Sequence, residues 1–103
     1  MRGFEVEGEG AVRRVRVPDD LAFLAGHFPG APIVPGAALI QLALQCAAMP
    51  ATERVVVQRV RFLRPVVPGA ELTLSFTPEG DGVGFAFADG AGDVARGVVA
   101  VDR

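Results

Sequence analysis

The sequence contains a single cysteine and no lysine, asparagine, tryptophan or tyrosine among its 103 residues. One cysteine, Cys46, excludes an intramolecular disulfide and a cysteine-rich metal site. The ten basic residues are all arginine, and a net charge of −2 argues against a general nucleic-acid binder. The low net charge and a hydrophobic content of 50% exclude a disordered chain. The length predicts a single domain, residues 1–103, with one hydrophobic core.

Charged residues are absent from the stretch 21–52, which by its length alone suggests a membrane span. Prolines interrupt this stretch and leave residues 36–49 as the longest uninterrupted helical segment. At a rise of 1.5 Å per residue this segment reaches about 21 Å, short of the ~30 Å hydrocarbon core. The N-terminus is acidic from Glu5 and lacks the long apolar run of a signal peptide. We therefore expect a cytoplasmic protein that makes no membrane contact.

Alternation of apolar and polar residues predicts strands at both ends of the chain. Four are predicted in the second half: residues 54–64, 71–77, 83–89 and 94–101. Near the N-terminus the apolar positions shift from even numbers (Val12) to odd numbers (Val15). Such a phase change predicts either a bulge or two separate strands, and Gly8 and Gly10 supply the backbone freedom for it.

Residues 37–49 are rich in alanine and leucine and predict one helix, which Pro50 ends. The segment is apolar on nearly every side, which is typical of a helix enclosed by other structure. Its only polar residues, Gln41 and Gln45, are four positions apart and share one face; if buried, both amides need hydrogen-bond partners. The order of elements predicts an α+β fold in which an antiparallel sheet of about five strands wraps around a single helix.

The segment before this helix carries the residues best suited to chemistry. Prolines at every third position hold the residues before them extended, so the loop that begins near His27 is stiff. No Ser, Thr, Asp or Asn stands at the helix start, so the amides of Gly36 and Ala37 are available to a ligand oxygen. This pattern fits a proton-transfer site facing an oxyanion site. A structural histidine and a hydrated helix end fit the residues equally well.

Two segments resemble a known family. Residues 26–36 (GHFPGAPIVPG) resemble the signature of the β-hydroxyacyl-acyl-carrier-protein dehydratases, which have the hot-dog fold, and residues 60–69 (VRFLRPVVPG) resemble that family's strand after the helix. The resemblance implies that His27 removes the α-proton of an acyl thioester and that the amide of Gly36 polarises its carbonyl. It also implies a site at a subunit interface that uses no metal or organic cofactor. The residues expected to contact substrate are Phe28, Pro35, Ala37, Gln45 and Phe62, with Phe23 and Leu39 as further candidates for an acyl tunnel.

The sequence departs from the family pattern at Gln41, where the family has Glu or Asp five residues past the Pro-Gly pair. Glutamine forms hydrogen bonds but cannot exchange a proton near neutral pH. The leading interpretation is therefore a 3-hydroxyacyl thioester dehydratase-like lyase of fatty-acid or polyketide-type metabolism, weakened by loss of the helix acid.

Two alternatives stay open: a non-catalytic acyl-binding or partner subunit of a hetero-oligomeric dehydratase, and a hot-dog thioesterase. The expected ligand is an acyl-carrier-protein or coenzyme A thioester. The expected assembly is a homodimer, or a heterodimer with another hot-dog subunit, that buries the Gln41–Gln45 side of the helix.

Arginines cluster at two places in the sequence: Arg13, Arg14 and Arg16, and Arg59, Arg61 and Arg64. Runs of charge usually form a solvated strand face. The alternative is a docking surface for an acidic carrier protein or for coenzyme A phosphates, to which arginine is suited.

Overall fold

The computed structural model describes residues 4–18, 34–47 and 54–101, and within them the chain forms six strands and one helix. Strands β1 (Glu5–Glu7) and β2 (Val12–Arg16) precede helix α1 (Gly36–Cys46). The strands after the helix are β3 (Val55–Phe62), β4 (Glu71–Glu79), β5 (Gly82–Asp89) and β6 (Gly92–Val101). All four strands predicted after the helix are present, with boundaries that differ by a few residues.

The six strands form one antiparallel sheet in the order β1-β2-β4-β5-β6-β3. Strand β3 follows the helix in sequence but lies at the far edge, beside β6. The sixth strand exists because the N-terminal phase change separates two strands, which was one of the two predicted outcomes. Gly8 (φ 97°) and Gly10 (φ 76°) occupy the left-handed conformation between β1 and β2, which residues with a side chain rarely adopt.

The hydrophobic core lies between α1 and one face of the sheet. Leu39, Leu42 and Ala43 of the helix are buried in the same cluster as strand residues such as Leu74 and Phe87. Leu74 and Phe87 are direct cross-strand partners, so the apolar sides of β4 and β5 coincide as their alternation predicts. The opposite face of the sheet carries the polar and small residues of the same strands.

Helix α1 is buried on one side only within this chain. Gln41 and Gln45 are exposed, together with Ala37 one turn earlier. They share a face as predicted, and in the single chain both amides are exposed because the sheet covers only the opposite side of the helix. Burial of this face against a second subunit stays a prediction. The helix ends at Cys46, and the predicted end at Pro50 lies outside the described residues. In the described part of the chain, no helix has the length and apolar character needed to cross a membrane.

Candidate functional site

The start of helix α1 is fixed by its proline. Pro35 is the N-cap residue and is extended, with φ −61° and ψ 140°, and its carbonyl accepts a hydrogen bond from the Ala38 amide at 3.0 Å. The residue before it, Val34, donates a backbone hydrogen bond of 2.7 Å to the carbonyl of Val66. The segment that enters the helix is therefore tied to the segment that follows β3.

Among the residues that the structure describes, no side chain caps this helix end, and the first turn contains no acidic residue. The first amides of a helix have no partner inside the helix, and the helix dipole favours negative charge beside them. Gly36 and Ala37 are the first two residues of α1, and Ala37 is exposed. The N-cap residue Pro35 carries no capping group, and the arrangement can stabilise a carbonyl oxygen that develops negative charge.

The ring of Phe62 lies against Gly36. A β-carbon placed on Gly36 would lie 2.6 Å from Phe62 Cζ and 2.8 Å from Cε1, closer than real side-chain contacts allow. Phe62 is the last residue of β3 and is paired with Ala95, so its side chain falls on the helix side of the sheet. The ring remains 52% exposed. Glycine is thus the residue that lets this aromatic ring pack against the helix start.

An open cavity of about 530 Å³ lies beside this contact. Its walls are mostly apolar and come from the helix start and from the segment after β3: Val34, Gly36, Ala37, Leu39, Phe62, Leu63, Arg64, Pro65 and Val66. Apolar walls next to free backbone amides suit a ligand that combines a hydrocarbon chain with a polar carbonyl.

Arg64 fixes the rim of the cavity through a bidentate ion pair with Asp89. Its Nη2 lies 2.8 Å from Oδ1 and its Nη1 3.0 Å from Oδ2, and Nη2 also donates to the carbonyl of Gly92 at 2.8 Å. The Arg64 hydrogen bond, helped by the Ala91 amide, lowers the pKa of Asp89. Arg64 therefore serves a contact within the chain, whereas the alternative of a docking surface shared with Arg59 and Arg61 stays a prediction.

The structure brings together four of the residues selected from the sequence. Pro35, Gly36, Ala37 and Phe62 meet at the helix start beside the cavity. Leu39, a candidate for the acyl tunnel, also lines this cavity.

The other candidates do not meet there. Gln41 and Gln45 lie further along the exposed face of α1 and do not line the cavity. His27, Phe23 and Phe28 lie outside the described residues, so their roles stay predictions.

Four cavity residues were not selected from the sequence as site residues: Val34, Leu63, Pro65 and Val66. The signal for them was present, because Val34 belongs to the family-like segment 26–36 and the other three belong to the segment 60–69 that supplied Phe62. Strand β3 ends at Phe62, and the chain that continues from it through Pro65 forms one wall of the site.

Comparison with solved structures defines the class of the fold. The dehydratase heterocomplex ApeI:P from Xenorhabdus doucetiae superposes with a TM-score of 0.77 over 96% of this chain and 95% of that chain, at 21% identity. A mutant of the fluoroacetyl-CoA-specific thioesterase FlK superposes with a TM-score of 0.53 over 99% of this chain and 90% of that chain, at 19% identity. The chain has the hot-dog fold, as expected, and it is an α+β protein.

The family follows from the sequence comparison. The ApeI-like family model, described as ApeI dehydratase, matches residues 4–98, and the chain belongs to this family. The 3-hydroxyacyl-acyl-carrier-protein dehydratase FabZ of Rhodospirillum rubrum is 31% identical over 86 residues, which are 72% of this chain and 54% of that protein. The chain thus spans about half the length of the curated relatives it matches, and the expected resemblance to hot-dog dehydratases is confirmed.

Proposed function

We propose that this chain binds 3-hydroxyacyl thioesters and forms a dehydratase-like site at the start of α1. The observation that carries the proposal is the uncapped helix start, where Gly36 lies under Phe62 and beside an apolar cavity. In an ApeI-like dehydratase chain, this geometry supports binding of the thioester carbonyl by the Gly36 amide and of the acyl chain by the cavity walls. The thioester is carried by an acyl carrier protein or by coenzyme A, as for the FabZ relative that acts on acyl-carrier-protein substrates.

In the proposed reaction His27 removes the α-proton of the bound thioester. The negative charge that develops on the carbonyl oxygen is stabilised by the amide of Gly36. The bond between the β-carbon and its hydroxyl oxygen then breaks, and the hydroxyl takes up the proton held by His27 and leaves as water. The product is the enoyl thioester, and no oxidant or reductant is needed.

The residue at position 41, a glutamine, limits the rate of this reaction. Its side chain is exposed on α1 and cannot supply the proton that the leaving hydroxyl requires. Loss of one acid–base partner costs about 10²–10⁴-fold in rate. We therefore propose slow dehydration by the chain alone, in the cytoplasm and within fatty-acid or polyketide-type metabolism.

A partner-completed site is the second candidate, and the exposed helix face supports it. Ala37, Gln41 and Gln45 lie on the side of α1 that the sheet does not cover. The structurally similar ApeI:P is a dehydratase heterocomplex. A second hot-dog subunit that packs on this face and carries a carboxylate would complete the site with His27.

A thioesterase is the third candidate, favoured by the likeness to the fluoroacetyl-CoA-specific enzyme FlK. The two reactions differ in product, because hydrolysis releases a free thiol and dehydration does not. The test is therefore to incubate wild type and His27→Ala with 3-hydroxyacyl thioesters and to follow enoyl product and free thiol in parallel. We expect enoyl product from wild type, none from His27→Ala, and no thiol from either. Equal enoyl formation by both proteins, or thiol release alone, would contradict the proposal.

A further inference from the structure

The face of the sheet opposite α1 carries a groove of about 490 Å³, called here the outer-face groove. Its main lining residues come from four neighbouring strands: Arg61, Ser75, Thr77, Gly84, Ala86 and Arg96. The small residues of β5 form the floor because they alternate with the buried Phe85 and Phe87. The hydroxyl groups of Ser75 and Thr77 border the groove on the β4 side, and the guanidinium groups of Arg61 and Arg96 border it on the opposite side.

Arg61 and Arg96 are direct cross-strand partners on β3 and β6. Like charges opposite one another in a sheet are destabilising. Both side chains are exposed, and neither forms an ion pair or hydrogen bond in residues 4–18, 34–47 and 54–101. The sheet therefore keeps two unneutralised positive charges side by side at the rim of a concave surface.

The third arginine of the groove differs because a carboxylate neutralises it. Arg59 has φ 53° at the register shift of β3, and its Nη2 lies 3.2 Å from Glu79 Oε1. Strands β5 and β6 separate these two residues, so the pair spans the sheet above Gly84, where a β-carbon would lie 3.5 Å from Glu79 Oε2. The Glu79 carboxylate is thus occupied by Arg59, and the net positive charge of the groove resides on Arg61 and Arg96.

We propose that the outer-face groove binds the phosphate group of a small molecule between Arg61 and Arg96. Guanidinium groups donate paired, charge-assisted hydrogen bonds that match phosphate oxygens. A phosphate dianion removes the repulsion between the two arginines, and Ser75 and Thr77 supply further donors at the opposite rim. A small anion fits better than an acidic protein surface because the two charges flank a concave depression.

This site is separate from the proposed thioester site. The groove faces away from α1, whereas Gly36 and Phe62 lie on the helix side. Pairing of the edge strand β3 with a second copy uses backbone groups in the plane of the sheet, so it leaves the groove open. Binding here does not depend on turnover, and either proposal can fail without the other.

The test is calorimetric titration of the full chain at low ionic strength with pyrophosphate, coenzyme A and dephospho-coenzyme A. We expect saturable binding of pyrophosphate, weakened at least about tenfold by Arg61→Gln and by Arg96→Gln. Arg14→Gln is the matched control, because it removes the same charge from an exposed residue of β2 on the same face. It should change the affinity less than about twofold. Glu79→Gln should strengthen binding, since it removes the carboxylate from the groove and frees Arg59.

The thioester carriers distinguish the sources of the phosphate. If coenzyme A binds more tightly than pyrophosphate, and dephospho-coenzyme A binds less tightly than coenzyme A, the groove is assigned to a nucleotide coenzyme. If all three ligands bind equally, the groove is assigned to an isolated phosphate or diphosphate. Circular dichroism of each variant confirms folding. Three results would overturn the proposal: no saturable binding at millimolar pyrophosphate, equal losses in all three arginine variants, or binding of polyglutamate without binding of pyrophosphate. The last result would indicate an acidic protein partner instead.

Discussion

Phe62 and Gly36 are in direct contact, and the contact joins the end of β3 to the start of α1. A β-carbon on Gly36 would lie 2.6 Å from Phe62 Cζ. The aromatic ring, the first helical amides and the apolar cavity are therefore positioned as one unit. A substitution at Gly36 or Phe62 should therefore displace the ring, the first helical amides and the cavity walls together.

Gly36→Ala should lower the free energy of unfolding by about 1–3 kcal/mol, because the added methyl group overpacks the contact with the ring. In a chain that already carries Phe62→Leu, adding Gly36→Ala should lower the free energy of unfolding much less, because the ring that the methyl group would meet is gone. Urea unfolding of the four proteins measures both effects. Gly90→Ala is the control, since nothing lies within 4 Å of its β-carbon position. Equal stability of Gly36→Ala and wild type would show that the ring contact does not constrain position 36.

Arg13 should stabilise the C-terminal end of α1. Its Nη2 donates to the carbonyl of Cys46 at 3.2 Å and its Nε to the carbonyl of Gly10 at 3.3 Å. A cation at a helix C-terminus contributes about 0.3–1 kcal/mol, so Arg13→Gln should lower the free energy of unfolding by this amount. Arg14→Gln, next in sequence but on the other face of the sheet, should have little effect. Equal losses in the two variants would remove the capping role.

The strand pattern could be predicted from the sequence, but the use of its arginines could not. Alternation identified the strands because one face of each is buried. Three arginines that are close in sequence have different neighbours because of the bulge in β3 and the end of that strand. Arg59 forms an ion pair with Glu79, Arg61 lies opposite Arg96 on β6, and Arg64 forms an ion pair with Asp89. These partners depend on the strand order, which places β3 beside β6 at long sequence separation, and no local pattern encodes that pairing.

The helix start shows the same division. The prolines and the missing cap predicted an uncapped helix beginning near Gly36, because both are local properties. The packing of Phe62 against Gly36 is a contact between distant segments, and only the family-like segment 60–69 indicated that Phe62 belonged to the site.

The Arg64–Asp89 ion pair should make stability depend on pH in the acid range. Arg64 lowers the pKa of Asp89 in the folded chain, below the unfolded value of about 3.9. The stabilisation is therefore complete above the unfolded pKa and is lost as the pH falls through the folded pKa. The midpoint temperature of thermal unfolding, measured between about pH 7 and pH 2, should fall less steeply with decreasing pH for Asp89→Asn than for wild type. Asp81→Asn, which alters an exposed turn carboxylate, is the control; a decline as steep in Asp89→Asn as in wild type would exclude the effect.

A dimer is expected in solution, because apolar side chains beside the cavity remain exposed. Phe62, Leu63 and Val67 are 52%, 46% and 50% exposed, and the adjacent strand β3 is an edge of the sheet. Light scattering at micromolar concentration should give twice the chain mass of 10.7 kDa. Leu63→Glu should weaken the dimer at least tenfold, because it places a charge in the apolar contact. Val12→Glu, at a 58% exposed position on the other face, should remain dimeric. A monomeric wild type would contradict the shared site.

The dehydration rate of Gln41→Glu tests the proposed site most directly. A carboxyl group at the exposed helix position supplies the missing proton donor with almost no change in side-chain volume. If the expected dimer covers this face of α1, desolvation raises the pKa of the new carboxyl group, so that part of it stays protonated near pH 7. Formation of the enoyl thioester from a 3-hydroxyacyl thioester should rise about 10²-fold. The gain should vanish in Gln41→Glu/His27→Ala and be absent in Gln45→Glu, which adds the same charge one turn later. A Gln41→Glu protein that folds as a dimer, binds the thioester and gains no rate would contradict the dehydratase site and favour a binding or partner-completed role.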